Sequence, residues 1–183
     1  MKKRVKKPSK APIYILLSVF VILAFGITTI LYFSHDRSTE YPEKVTELEN
    51  LSDAGKYEEV EKKGEELLAL KPGNKTKTGA LWEVSLAECM QGNKNTAKYE
   101  EARQHAIQFR KLDYSGSYYL MGLIYYYKGT HNTAKKDYAA AKEDFAVAAD
   151  QLNNAKRRVP DLKNEIDRLL ASMPSSAPSE SPK

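Results

Sequence analysis

A single cysteine, Cys89, stands in the 183 residues. With no second thiol the chain can form no intramolecular disulfide. That absence does not argue against an oxidising compartment. In a helical apolar pattern a lone Cys reads as a small buried hydrophobe. Histidine is scarce as well: His35, His105 and His131 are the three. None stands at metal-ligand spacing from Cys, His or Asp, and all three read as ordinary surface histidines. There is no phosphate loop, no dinucleotide fingerprint and no G-x-S-x-G. The sequence therefore predicts no catalytic residue, no metal ligand and no cofactor site, hence no enzyme and no small-molecule substrate.

Acidic residues are missing from the first 33 positions, which carry Lys2, Lys3, Arg4, Lys6, Lys7 and Lys10. Six of the 29 basic groups lie there, leaving 23 against all 24 acidic ones. The remainder is close to neutral. Such a surface gives no general reason to bind nucleic acid, whose affinity comes mostly from neutralised phosphates. The basic run itself abuts an apolar segment and reads as a topology signal.

That segment, Ile13 to Phe33, holds no charged residue over 21 positions. As a helix it measures roughly 32 Å, matching a hydrocarbon core of about 30 Å. Tyr14 and Tyr32 fall near its ends, where amphipathic rings suit the interface. The rival reading is a cleaved signal peptide. It requires a shorter apolar core and a small-x-small site, and Tyr32-Phe33-Ser34-His35-Asp36 supplies no such site. The expectation is one uncleaved membrane span in a plasma or inner membrane. The basic residues 1–12 stay in the cytoplasm and the rest of the chain lies outside it.

Beyond a polar linker, 34–43, proline and glycine are rare and fall between helix-forming stretches. Apolar residues recur there at three- and four-residue spacing, with no alternating strand pattern. Residues 44–171 thus read as an all-α domain, with helices at about 43–54, 57–70, 77–91, 96–112, 116–128, 133–152 and 160–171. The Ser/Pro-rich end, 172–183, cannot build a packed face and is expected to be disordered. Asn74-Lys75-Thr76 fits a glycosylation sequon after a Pro-Gly turn.

Repetition is the most informative feature. Gly55, Gly92 and Gly129 are evenly spaced. Asn-Thr-Ala-Lys occurs at Asn95 to Lys98 and again at Asn132 to Lys135. Each unit reads as helix, glycine turn, helix, with Asn95 and Asn132 as helix N-caps. Tyr118, Met121-Gly122, Tyr125, Ala141, Phe145 and Ala148 follow W-x2-L-G-x2-Y…A-x3-F with a small residue after. Leu81, Val84-Ser85, Tyr99, Ala102, Ala106 and Phe109 follow it more loosely. The first unit keeps Gly55, Tyr57, Val60, Leu67 and Pro72, but has Gly64 where an aromatic belongs. On these residues the chain resembles the tetratricopeptide repeat family. The resemblance implies about three helix pairs and a capping helix. The bland alternative is an unrelated helical bundle.

In that family the first helix of each pair lines a concave groove that holds a partner. By register the resemblance assigns Trp82, Leu86, Cys89 and Met90 to the groove in the second unit. In the third unit it assigns Tyr119, Leu123, Tyr126 and Tyr127. Large rings with polar tips make good anchors. The resulting expectation is a membrane-tethered scaffold docking a protein partner at the extracytoplasmic face, in an accessory or assembly role. The alternative is a structural subunit of a larger membrane complex, with the span as the interacting element.

Overall fold

The structure, a computed structural model, describes residues 39–174. The expected cytoplasmic tail, the span and most of the disordered tail lie outside the described residues. Within them no helix is long and apolar enough to cross a membrane. The described chain is all-helical, with seven α-helices, no strand and a short 3-10 turn, Pro160–Leu162.

Helix α1, Pro42–Asp53, opens on a proline, which lacks the N–H that would go unpaired there, and carries Glu43 in its first turn. It ends at Gly55, whose φ of +70° is the left-handed conformation glycine adopts without strain. The Gly55 N–H reaches the Ser52 carbonyl and the Lys56 N–H that of Leu51, a paired closure of the last turn. Helices α2, Tyr57–Ala69, and α3, Asn74–Gln91, follow. Then come α4, Ala97–Arg110, α5, Gly116–Ala134, α6, Tyr138–Arg158, and α7, Lys163–Ser172.

The largest departure from the expected helices is at the third turn. Gly129 was expected to break the chain and Asn132 to start a helix. Instead α5 runs on to Ala134. The reversal falls at Lys136, with φ +63°, closed by the same two backbone bonds, Lys136 to Thr133 and Asp137 to Asn132. The Asp137 carboxylate accepts the Ala140 N–H at 3.1 Å and caps α6. Gly129 serves close approach instead, since a Cβ there would meet the Phe145 ring at 3.0 Å. The two Asn-Thr-Ala-Lys runs therefore differ in role: Asn95 to Lys98 open α4, while Asn132 to Lys135 close α5. At the earlier run the Asn95 Oδ1 does accept a backbone N–H, that of Ala97 at 3.2 Å.

Consecutive helices pair through short turns as α1–α2, α3–α4 and α5–α6. The first helix of each later pair also lies on both helices of the pair before it. Thus α3 packs on α1 and α2, and α5 packs on α3 and α4. Three apolar clusters result. Leu48, Val60, Leu67 and Ala80 join α1, α2 and α3. Leu81, Cys89, Phe109 and Ile124 join α3, α4 and α5. Leu123, Leu152, Ala155 and Ile166 join α5, α6 and α7. Each fully buried aliphatic side chain contributes about 1.5–3 kcal/mol by leaving water.

The end of the expected linker is not free chain. The Glu40 carboxylate accepts the N–H groups of Lys75 and Thr76, at 3.3 and 2.7 Å, at the start of α3. An anion is favoured at that end of a helix. The Tyr41 N–H donates to the Thr76 hydroxyl at 2.7 Å. Residues 39–41 are thereby pinned to the second helix pair.

Candidate functional site

Five of the residues expected to line a groove meet in one seam. The Trp82 ring on α3 lies nearly parallel to Tyr119 on α5, with centres 6.0 Å apart and planes 12° apart. It also tilts against Phe109 on α4 at 5.7 Å. Leu86, Leu123 and Tyr127 pack around this pair. The spacing follows from the helix: 82 and 86, and 119, 123 and 127, are successive turns on one face.

Helix α7 lies over this seam. Its Ile166 is fully buried, and Leu162, Leu169, Leu170 and Met173 pack beside it. The Tyr119 hydroxyl donates to Glu165 at 2.5 Å. Burial and that carboxylate push the phenol pKa up. The Tyr126 hydroxyl meets Ser172 Oγ at 3.0 Å, and its ring stands edge-on to Tyr127 and Phe145. Tyr119 was expected to line the groove. It is 4% exposed, and Leu123 7%, with α7 in place. The last helix was expected to cover the end of the stack; it covers the aromatic face as well.

Met90 is set apart. It lines an open cleft of about 390 Å³ at the other end of α3, with Tyr57, Gln91 and Lys94. Cys89, one residue earlier, is buried, and its thiol pKa is pushed up to about 12 by that burial. A thiol so shielded is a packing group, not a nucleophile.

Sequence reading missed a charged cluster between α2, α3 and α4. Glu88, 2% exposed, is bound by His105 Nδ1 at 2.8 Å. The other ring nitrogen of His105 meets Glu65 at 3.0 Å. Beside them Lys98 bridges Glu61 and Glu101, both at 2.6 Å. Long charged side chains thus span from α2 to α4. His105 is no ordinary surface histidine: hydrogen bonding to Glu88 raises its pKa against the opposing effect of burial. Burial raises the pKa of Glu88. Glu65, Glu88 and His105 place ligand-type atoms within 4.8 Å of one another. Both histidine nitrogens are already engaged by carboxylates, so the geometry is that of an ion triad. The one sequence signal was Glu88 itself, an acid where the repeat pattern puts an aromatic. His131, expected in a turn, is 8% exposed within α5, against the Tyr99 ring at 6.0 Å.

No protein-family model, curated protein or solved structure matches this chain.

Proposed function

We propose that the chain is a docking scaffold of tetratricopeptide type, tethered by residues 13–33 and presenting its helical stack outside the cytoplasm to a protein partner. The observation that carries this reading is the seam of Trp82, Leu86, Tyr119, Leu123 and Tyr127, in which an amphipathic helix already sits. Helix-in-groove recognition uses apolar anchors at i, i+3, i+4 and i+7. Helix α7 supplies Ile166, Leu169 and Leu170 in that spacing, flanked by Leu162 of the preceding 3-10 turn and by Met173 just past its end. A partner helix of the same pattern is the occupant this face suits.

Two further features agree with the tetratricopeptide reading. The first helices α1, α3 and α5 adjoin one another in sequence of stacking. Small residues stand where α5 and α6 approach most closely, at Gly122, Ala141 and Ala148. Gly64, which departs from the family pattern, admits Val84 of α3. For the tether, the support is the charge-free stretch and the six cations before it.

The test replaces residues 13–33 with an unrelated apolar helix and follows partner capture in native membranes. Capture is expected to survive. Its loss would mean that the span, not the helical face, is the interacting element.

A further inference from the structure

A second cluster lies at the end of the stack where α4 and α6 finish and α5 begins, and the docking reading does not use it. Tyr114 and Tyr118 stand edge to face, ring centres 5.3 Å apart, with their hydroxyls 2.6 Å from each other. Two guanidiniums from different helices converge on them. Arg110, ending α4, lies 5.0 Å from the centre of each ring. Arg158, ending α6, lies 5.2 Å from Tyr114 and 5.0 Å from Tyr118. Tyr118 is nearly buried and holds the arrangement in place, while Tyr114 is 50% exposed and opens it to solvent.

Among the described residues, neither arginine is paired with a carboxylate. Asp113, next to Tyr114 in sequence, accepts the Gly116 N–H on its Oδ1 at 2.9 Å. Arg110 Nη2 donates to the Tyr118 hydroxyl at 3.1 Å. Each guanidinium has five donors, so most of the ten point elsewhere. Holding two like charges against one ring pair costs energy that a bound anion removes. The hydrogen bond to Tyr118, with Arg110 and then Arg158, lowers the Tyr114 pKa, making its hydroxyl a better donor.

We infer that Arg110 and Arg158, with the hydroxyls of Tyr114 and Tyr118, form a binding site for a phosphate group. Planar guanidinium forks match phosphate oxygens two at a time. A phosphate carries about −1.5 to −2 charge near neutral pH, matching two cations where a carboxylate matches one. Helix C-termini also favour cations, which accounts for an arginine at each end. It does not account for both facing one tyrosine pair.

The experiment titrates the full-length chain in detergent micelles with inorganic phosphate by calorimetry, at constant ionic strength against chloride. A short-chain, soluble phosphatidic acid is the second probe. Saturable binding of at least one probe is expected. Arg110→Gln and Arg158→Gln should each weaken it roughly tenfold, as the loss of a charge-assisted pair implies. Arg157→Gln, whose guanidinium faces Asn154 instead, should leave it unchanged. Arg158→Lys keeps the charge and the fold but loses the fork, and should fall between. Inorganic phosphate binding through the pair identifies a free anion as sufficient; binding of the lipid alone identifies a headgroup. No binding of either probe above chloride, or equal loss in Arg157→Gln, would overturn the site.

Discussion

The indole of Trp82 and the phenol of Tyr119 lie 6.0 Å apart and 12° from parallel, and this stack fastens α3 to α5. Trp82 is the one tryptophan in the chain, so the tryptophan emission reports on this seam. Trp82→Ala is expected to destabilise the fold by about 3 kcal/mol, the lower end for a large aromatic because the ring is only half-buried. Urea denaturation followed by circular dichroism measures it. An unchanged midpoint would mean that the stack carries no stability.

Gly122 tests the approach of α5 to α6. A Cβ there would stand 2.6 Å from Leu152 Cγ and 3.3 Å from the Leu152 backbone nitrogen. Gly122→Ala is therefore expected to cost about 2–3 kcal/mol through overpacking. Gly55→Ala meets open space and only the left-handed φ, and should cost about 1 kcal/mol. The order of the two thermal midpoints checks this; reversal would contradict the packing at Gly122.

The number and boundaries of the helices were legible because apolar periodicity and turn residues agreed over most of 42–134. The third turn was not. Lysine at position 136 takes the left-handed conformation that glycine takes at position 55, so the punctuation looked to be at Gly129. The repeated tetrapeptide reinforced the error, its two copies lying at opposite ends of helices. Trp82 with Leu86, and Tyr119 with Leu123 and Tyr127, were legible as two helix faces from their spacing; that the two faces meet was implied only by the family resemblance. That α7 would cover them was not, because its apolar side fits an end cap or a groove equally well. His105 and Glu88 stand 17 residues apart, and only the crossing of α3 and α4 brings them together.

The pairing of His105 with Glu88 has a pH signature. Both groups bind their protons more tightly in the folded chain than unfolded. A raised folded pKa gives stability that is fully present below the unfolded value, about 6.5 for histidine, and is lost as pH rises through the folded one. Glu61, Glu65, Lys98 and Glu101 face the same cluster. Glu61, with its pKa lowered, loses stability only at acid pH, outside this window. The thermal midpoint should therefore fall as pH rises above about 6.5, and His105→Gln should flatten that fall. An equal slope in the variant would contradict the assignment.

Helix α7 occupies the face assigned to the partner, so the two should compete. Leu169→Asp together with Leu170→Asp places charges against the seam and is expected to loosen α7, seen as faster amide exchange across 163–172. Partner capture should then rise. A fall in capture would mean that α7 is part of the docking surface instead of its occupant.

Face-specific crosslinking tests the docking reading most directly. A photoreactive residue is placed in the full chain, in native membranes, at Tyr126 on the edge of the seam or at Val147, 38% exposed on α6. A defined crosslinked partner is expected from position 126 and not from 147, with a higher yield when α7 is loosened. Crosslinks from 147 alone, or equally from both, would contradict the assignment of the aromatic seam as the docking face.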